Sequence, residues 1–339
     1  MIRSYRPAVL GKIAHEVDRA LALRARTGAP GGTTPTRLAH GAGWCVDDVM
    51  CTSGPGDRPF EEEHRSVSIA IVLSGTFEYR ASSGDALMTP GSLLLGNPGQ
   101  SFECVHAHGA GDRCIAFRFS PELFEQLGID AGAPGGRASS RFRAPRLPPL
   151  KPSAPLVAQA ALGVAAPAAA SESWEELAYR LAAATLALSS GAQLHPGRPP
   201  AAVRARIADS VRRIEREPGA PWTLKQLAHE AALSPFHYLR TFKRVAGVTP
   251  HQFILRARLR AAALHVAADE ARIIDAAGAA GFEDLSNFNH AFRAEFGVAP
   301  RTYRRIASRR PHGIPERRRT PRSVTTTSGR PPDPPVPTA

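Results

Sequence analysis

Between Trp44 and Phe119 hydrophobic and polar positions alternate with a period of two. Val67, Ile69, Ile71 and Leu73 are interleaved with Ser66, Ser68 and Ala70, and Ser74-Gly75 turns the chain into Thr76 to Arg80. Successive side chains of an extended chain point to opposite faces, so this is the signature of strands with one face inside. Breaks at Ser83-Gly84-Asp85, Pro90-Gly91 and Pro98-Gly99 divide the region into short pieces. The pattern predicts many short antiparallel strands forming a β-barrel or jelly roll. Residues 129–155, rich in Gly, Pro, Ala and Arg, read as a linker or long loop. A helical zone over 156–195 follows, best defined at the capping box Ser173-Trp174-Glu175-Glu176 and the stripe of Leu177, Leu181, Ala184 and Leu188. The stripe marks a buried face, to be covered by the barrel or by a second copy of the chain.

His195-Pro196-Gly197-Arg198-Pro199-Pro200 breaks helix and marks a domain boundary. Beyond it the apolar period is helical and one unit occurs twice. Phe242-Lys243-x-x-x-Gly247-Val248-x-Pro250-x-x-Phe253 returns as Phe292-Arg293-x-x-x-Gly297-Val298-x-Pro300-x-x-Tyr303. Each copy follows a second helical pattern at the spacing of a helix-turn-helix, and two such units on one chain can reach two successive major-groove segments of a duplex. In the first unit Thr223 and Gln226 form a capping box, with Leu224, Leu227, Ala228 and Ala231 as the buried stripe. Ser234-Pro235 then starts a helix whose inner side carries Tyr238, Phe242 and Val245 and whose outer side carries Phe236, Arg240 and Lys243, with Leu239 at the flank. In the second unit Asp284 caps a helix with Phe288 and Phe292 inward and Ser286, Asn289, His290 and Arg293 outward.

These outward residues suit a groove. Arginine matches guanine O6 and N7, asparagine matches adenine N6 and N7, and Phe236 or Leu239 can meet a thymine methyl. The competing reading is a merely solvated face, weakened by two such faces at the same offset. Gln252 to Ala268 reads as one helix, a strut about 25 Å long at 1.5 Å per residue, fit to set the two heads about one DNA turn apart. Arg256 and Arg260 on this strut are candidates for phosphate contacts, or for covering apolar surface with their stems.

Charge agrees with the repeat. Of the net +13, residues 201–307 contribute +7, the Arg-, Pro- and Thr-rich tail 308–339 contributes +5, and residues 1–200 only +1. The excess sits where phosphates would be neutralised, and the tail is expected to be disordered. No apolar run near Met1 makes a secretory signal, and the Ala-rich segment 155–170, broken by Gln159 and Pro167, falls short of a membrane span. Cys45, Cys51, Cys104 and Cys114 are expected as thiols, and the protein in the cytoplasm, nucleoid-associated, with no membrane partner.

Residues 201–307 resemble the AraC/XylS family of bacterial transcription regulators. The resemblance is carried by Gly281-Phe282-Glu283-Asp284, Phe288, Phe292, Gly297, Pro300, Tyr303 and Arg304, and upstream by Ser234-Pro235, Arg240-x-Phe242 and Gly247-x-x-Pro250. It implies base contacts from Phe236, Leu239, Arg240, Ser286, Asn289 and His290, promoter DNA and RNA polymerase as partners, and activation as the expected direction. Three positions depart from the pattern: Arg272 stands where a capping Ser or Thr is common, Gly278 lies inside the helix it opens, and Ala299 precedes Pro300. A poor cap and a helical glycine each cost about 1 kcal/mol, so the second unit is expected to be the looser.

The strand-rich region resembles, on Gly84-Asp85, Pro90-Gly91 and Pro98-Gly99, the cupin-type sensor domain that precedes the DNA-binding domain in many members of that family. Where metal-dependent cupins carry a histidine after the Pro-Gly element, Leu93, Leu94 and Leu95 stand here. Cys104, His106 and His108 share one strand face. If Gly109 to Asp112 is a four-residue hairpin loop, Cys104 pairs with Phe117 and His106 with Ile115, and Cys114 faces outward. The cluster, with His64 as a further candidate, has three readings: a zinc or similar ion site, a thiol sensor, or the lining of an effector pocket.

The expected fold is therefore α+β multidomain. A cupin-like effector domain (1–128) is followed by the linker (129–155), a helical segment suited to a homodimer contact (156–195), an all-α DNA-binding domain with two helix-turn-helix units (201–307) and the tail. The expected function is a sequence-specific regulator that senses a small-molecule effector, with no cofactor required. The alternatives are a metal-dependent cupin enzyme with an attached DNA-binding region, and a nonspecific architectural DNA binder.

Overall fold

The computed structural model describes residues 10–57, 61–130, 141–165, 173–189, 199–267 and 272–308. A helix not anticipated from the sequence, α1 (Leu10–Thr27), comes first. Among the described residues nine strands follow: β1 (Thr33–Gly41), β2 (Trp44–Cys51), β3 (Glu61–His64), β4 (Val67–Gly75), β5 (Phe77–Ala81), β6 (Gly84–Met88), β7 (Leu93–Gly96), β8 (Gln100–Val105) and β9 (Asp112–Phe119). With β10 (Arg146–Leu147) they form two antiparallel sheets, in the orders β1-β2-β9-β4-β7-β10 and β3-β8-β5-β6. The jelly-roll expectation holds as a two-sheet sandwich rather than a closed barrel. Ser74-Gly75 is a corner between sheets, and Gly75 at φ +79° makes it, since an added Cβ would lie 2.2 Å from the Gly111 carbonyl oxygen.

The alternation seen in β4 resolves into two buried faces. Val67, Ile69, Ile71 and Leu73 pack outward against helices, while Ala70 and Val72 face the sandwich interior with Phe77, Tyr79, Met88, Leu94, Cys114 and Ala116. The helices that cover the outer face are α2 (Pro121–Asp130), α3 (Ala154–Ala165) and α4 (Trp174–Ser189). Ser173 accepts the Glu176 N–H at 3.2 Å, the expected cap, and Leu177 and Leu181 are buried against the chain itself. The first half of the stripe is thus covered within the molecule, while Ala184 and Leu188 are half-buried against the same core. Within the expected linker, 141–155 is built structure: Phe142 is buried, β10 joins the edge of the larger sheet, and α3 starts at Ala154. Residues 131–140 and the tail 309–339 lie outside the described set.

Seven further helices follow among the described residues: α5 (Ala201–Arg216), α6 (Leu224–Glu230), α7 (Pro235–Ala246), α8 (Pro250–Ala267), α9 (Ile273–Ala279), α10 (Leu285–Phe296) and α11 (Pro300–Ser308). The repeat now has a physical reading. Phe242 and Phe292 are fully buried, and each meets the aromatic ring of the following helix edge-on, Phe253 at 5.8 Å and Tyr303 at 5.4 Å. Gly247 and Gly297 end α7 and α10 in the left-handed conformation, at φ +85° and +77°, each N–H returning to the carbonyl four residues back. Pro250 and Pro300 open α8 and α11, where a missing N–H costs nothing. Residues of the second unit share one core with the outer face of the large sheet through α3, and Leu87 of β6 enters the core of the first unit. The boundary at 195–200 is therefore one of chain and not of packing.

Candidate nucleic-acid interface and ligand pocket

The reading heads are held by caps and by buried aromatics. Thr223 Oγ1 accepts the Gln226 N–H at 3.1 Å, Ser234 Oγ the His237 N–H at 3.3 Å, and Asp284 Oδ1 the N–H groups of Ser286 and Asn287. With Tyr238 and Phe242 buried on α7, and Phe288 and Phe292 on α10, the opposite faces are turned out. Arg240, Lys243, Ser286, Asn289, His290 and Arg293 are all exposed, and Leu239 is half-buried at the flank, as expected. Phe236 belongs to the first turn of α7; its side chain lies outside the described set. His237, Arg244 and Asn287 share these exposed faces and were missed. The helical spacing that selected their neighbours would have found them.

Arg256 and Arg260 behave otherwise. α8, the expected strut (its proposed end, Ala268, lies outside the described residues), is packed on all sides and buries Phe253, Ala257, Leu259 and Ala261 to Leu264. Arg256 donates to Glu295 Oε1 at 3.2 Å and to the Pro149 carbonyl at 2.7 Å, and Arg260 is paired with Glu215. Both guanidiniums are nearly buried, so they tie the two units and the β10 segment together and present nothing to phosphate. Burial pushes the carboxyls of Glu215 and Glu295 up, and the facing arginines oppose this. The two units also differ in finish. Thr249 and Gln252 make a reciprocal capping box ahead of α8, at 3.0 and 3.3 Å, which Ala299 cannot make ahead of α11. Arg272 makes no side-chain cap on α9.

In the sandwich, the expected hairpin between β8 and β9 does not form. β8 pairs with β3 and β5, placing Cys104 beside Tyr79, and β9 lies in the other sheet between β2 and β4. The parity argument still turns Cys104 and His106 inward, but Cys114 also faces the interior, opposite Val49, and not outward. A cavity of about 340 Å³ lies between the sheets, with Val49, Phe77, Leu94 and Phe102 on its walls and Cys51, Cys104, His106, Asp112 and Cys114 together on its lining. His106 Nε2 sits 2.8 Å from Asp112 Oδ2 and 3.5 Å from Cys51 Sγ. Burial acts to lower the His106 pKa, but the hydrogen bonds and charges of Asp112 and Cys51 outweigh it and carry it up to about 10, while burial raises that of Asp112 against the opposing pull of His106. Burial, then the Asp112 charge, raises the Cys104 and Cys114 thiols well above their ordinary range. This direction disfavours the thiolate form on which oxidant sensing depends.

His108 does not join the cluster. It points toward α5, with Nε2 2.7 Å from Thr76 Oγ1, and burial with the nearby Arg212 lowers its pKa to about 4. His64, the further candidate, is buried at the cavity wall: it stacks on Phe102 at 4.1 Å and meets the Tyr79 hydroxyl at 2.8 Å. Burial, then the Arg118 charge, lowers its pKa to about 4. Cys51 and Asp112 escaped the sequence reading because they become neighbours only through the β2–β9 pairing, as directly opposed residues.

The helical third is thus the DNA-binding type in which two helix-turn-helix units are carried on one chain. A family model described as a helix-turn-helix domain matches residues 227–306, and the chain belongs to the AraC family of transcriptional regulators. It is 26% identical over 100 residues to the HTH-type transcriptional regulator MtrA of Neisseria gonorrhoeae, a match covering 30% of this chain and 33% of that protein. It is 30% identical over 99 residues to the transposon Tn10 TetD protein of Escherichia coli, covering 29% of this chain and 72% of that one. Among solved structures, the DNA-binding domain of AdpA, determined with a target DNA, is 25% identical, with a TM-score of 0.30 over 32% of this chain and 98% of that one. The chain spans about a third of the length of the first curated relatives it matches. Among the described residues no helix is long and apolar enough to cross a membrane.

Proposed function

We propose that this protein is a cytoplasmic, sequence-specific transcriptional regulator, and not an enzyme, in which the β-sandwich senses an effector and the paired helix-turn-helix units bind promoter DNA. The observation that carries this reading is the equivalence of α7 and α10. Two helices, capped at the same position and ended by the same left-handed glycine, turn polar residues of base-reading type outward. Arg240 and Asn289 are assigned to base edges, and Lys243 and Arg293 to phosphates or bases at the groove walls. The cavity beside His106 is assigned to the effector. Activation would add a contact with RNA polymerase, and a dimer would read two such sites.

Footprinting upstream of the protein's own and neighbouring genes, followed by competition with unrelated duplex at physiological salt, tests the proposal. A specific regulator prefers its site by a factor on the order of 10³ or more. Equal affinity for both duplexes would identify a nonspecific binder driven by the basic charge, and overturn the reading.

A further inference from the structure

We propose that Cys51, His106 and Asp112 form a site for one divalent cation of borderline softness, with Zn²⁺ the fitting ion and an open coordination position toward the cavity. The ligand atoms of the three residues lie within 4.8 Å of one another, and all three residues are buried. Two of the edges are 3.5 Å, Cys51 Sγ to His106 Nε2, and 2.8 Å, His106 Nε2 to Asp112 Oδ2. A tetrahedral zinc with bonds of about 2.0 to 2.3 Å has ligand–ligand edges of roughly 3.3 to 3.7 Å; the Cys51–His106 edge already has this length, and the His106–Asp112 hydrogen bond has to open by about 0.5 Å to admit the ion. Binding displaces the proton that His106 Nε2 shares with Asp112 and the proton of the Cys51 thiol, both released to solvent; the resulting thiolate, imidazole and carboxylate match the donor preference of zinc, softer than that of Mg²⁺ or Ca²⁺.

The site is built by the fold. Cys51 and Asp112 are opposed residues of neighbouring strands, and His106 reaches them from the end of the facing sheet while stacking on Phe77 at 5.8 Å. Cys114 Sγ stands 3.9 Å from the second Asp112 oxygen, and Cys104 lines the same cavity. The remaining coordination position faces the cavity, where an effector atom can complete it, and Cys51 is the one sulfur ligand. A purely structural ion pair accounts for this less well. A buried charged pair is costly to desolvate, and apolar residues would fill the same place at equal or better stability. These ligands are also distinct from the position after the Pro-Gly element, which Leu93, Leu94 and Leu95 fill.

The site lies next to the DNA-binding half. Two residues beyond His106, His108 holds Thr76, whose hydroxyl accepts from Arg212 of α5 at 3.2 Å, and Glu78 pairs with Arg204 of the same helix at 2.6 Å. Resting on the regulator reading above, a cation that inserts between His106 and Asp112 shifts the segment that positions α5, and so alters promoter affinity.

The test is titration of the purified full chain with Co²⁺, a spectroscopic substitute for Zn²⁺. One equivalent is expected to produce visible d–d bands and a near-ultraviolet sulfur-to-cobalt band, and excess Zn²⁺ to abolish both. Cys51→Ser should lose the sulfur band, His106→Asn and Asp112→Asn should weaken binding at least tenfold, and Cys45→Ser, at the far end of β2, should behave as wild type. Absence of the sulfur band in the wild-type chain, or its persistence in Cys51→Ser, overturns the proposal without requiring any variant to fold. Promoter affinity with and without Zn²⁺ is measured on the same samples. A cobalt band in a chain that binds no promoter supports the site and refutes the regulator reading, whereas promoter binding without a cobalt band does the reverse.

Discussion

Replacing Arg256 by alanine separates two roles that a cationic residue on a DNA-binding domain can play. In the structure its guanidinium bridges Glu295 Oε1 and the Pro149 carbonyl, with side-chain exposures of 13% for the arginine and 8% for the glutamate. Truncation leaves a carboxylate buried between α8 and α10 and one carbonyl unpaired. Removing one member of a buried pair costs about 3 to 5 kcal/mol. The charges of Arg260 and Lys151 also reach Glu295, which places the expected loss near the lower end, about 3 kcal/mol. At about 2 to 4 °C per kcal/mol for a domain of this size, the melting temperature should fall by roughly 6 to 12 °C. The second substitution Glu295→Leu, which removes the stranded charge, should recover most of that loss. The complementary assay is the dependence of DNA affinity on salt. A lost phosphate contact lowers the slope of log K against log salt by about 0.9, and a lost internal tether leaves it unchanged. A variant with unchanged melting temperature and a slope reduced by about 0.9 would refute the internal assignment and restore Arg256 to the phosphate backbone.

Arg240→Ala and Asn289→Ala should each cost about 1 to 3 kcal/mol of promoter affinity and relax preference at one base position. Selection from a randomised operator reads this out, and uniform loss over all sequences would reassign the residue to phosphate. Gly278 is exposed within α9, with nothing within 4 Å of an added Cβ, so Gly278→Ala should stabilise the second unit by about 0.5 to 1 kcal/mol, measured by urea unfolding. His64, with its pKa lowered from 6.5 to about 4, stays neutral in the fold while the unfolded chain takes up a proton. Its contribution is present above about pH 6.5 and is lost as pH falls toward 4, on the order of 2 kcal/mol after allowance for screening. The stability of His64→Gln should therefore fall less steeply over that interval, and parallel pH curves for variant and wild type would contradict the assignment.

What was legible in the sequence was local. The helix ends were marked by residues with a conformational reason to be there: Gly247 and Gly297 for the left-handed turn, Pro250 and Pro300 for a first helical position, Thr223, Ser234 and Asp284 for a cap. With the ends fixed, a period of 3.6 assigned inner and outer faces correctly. In the sandwich the period of two likewise gave Cys104 and His106 their inward direction. It could not say which strand lies opposite, because β8 pairs with β5 and β3 across intervening chain, while its successor β9 crosses to the other sheet. That one step misplaced Cys114 and His108 and hid Cys51 and Asp112. Arg256 and Arg260 were misread for a related reason: a helix packed on every side has no polar face, so the outward direction of an arginine cannot be taken from spacing.

The segment read as a linker bears most directly on how sensing reaches DNA. Arg146, on β10, donates to the Leu87 carbonyl of β6 and, at 2.7 Å, to the Val245 carbonyl near the end of α7. Burial lowers its pKa to about 10, which leaves it a cation at neutral pH, and a cation at a helix C-terminus is favourable to the helix dipole. Pro148 lies against Gly247, and Pro149 accepts from Arg256. The sandwich therefore grips α7 at its C-terminal end and leaves His237 and Arg240, nearer its start, exposed. The second head is held from behind, through the shared core of Phe288, Phe292 and Phe296 with α3. Both grips lie away from the exposed faces of α7 and α10, so on the proposed reading the β-sandwich need not leave for DNA to bind. A change within the sandwich can act on binding by tilting one head relative to the other, since the two are gripped at different points.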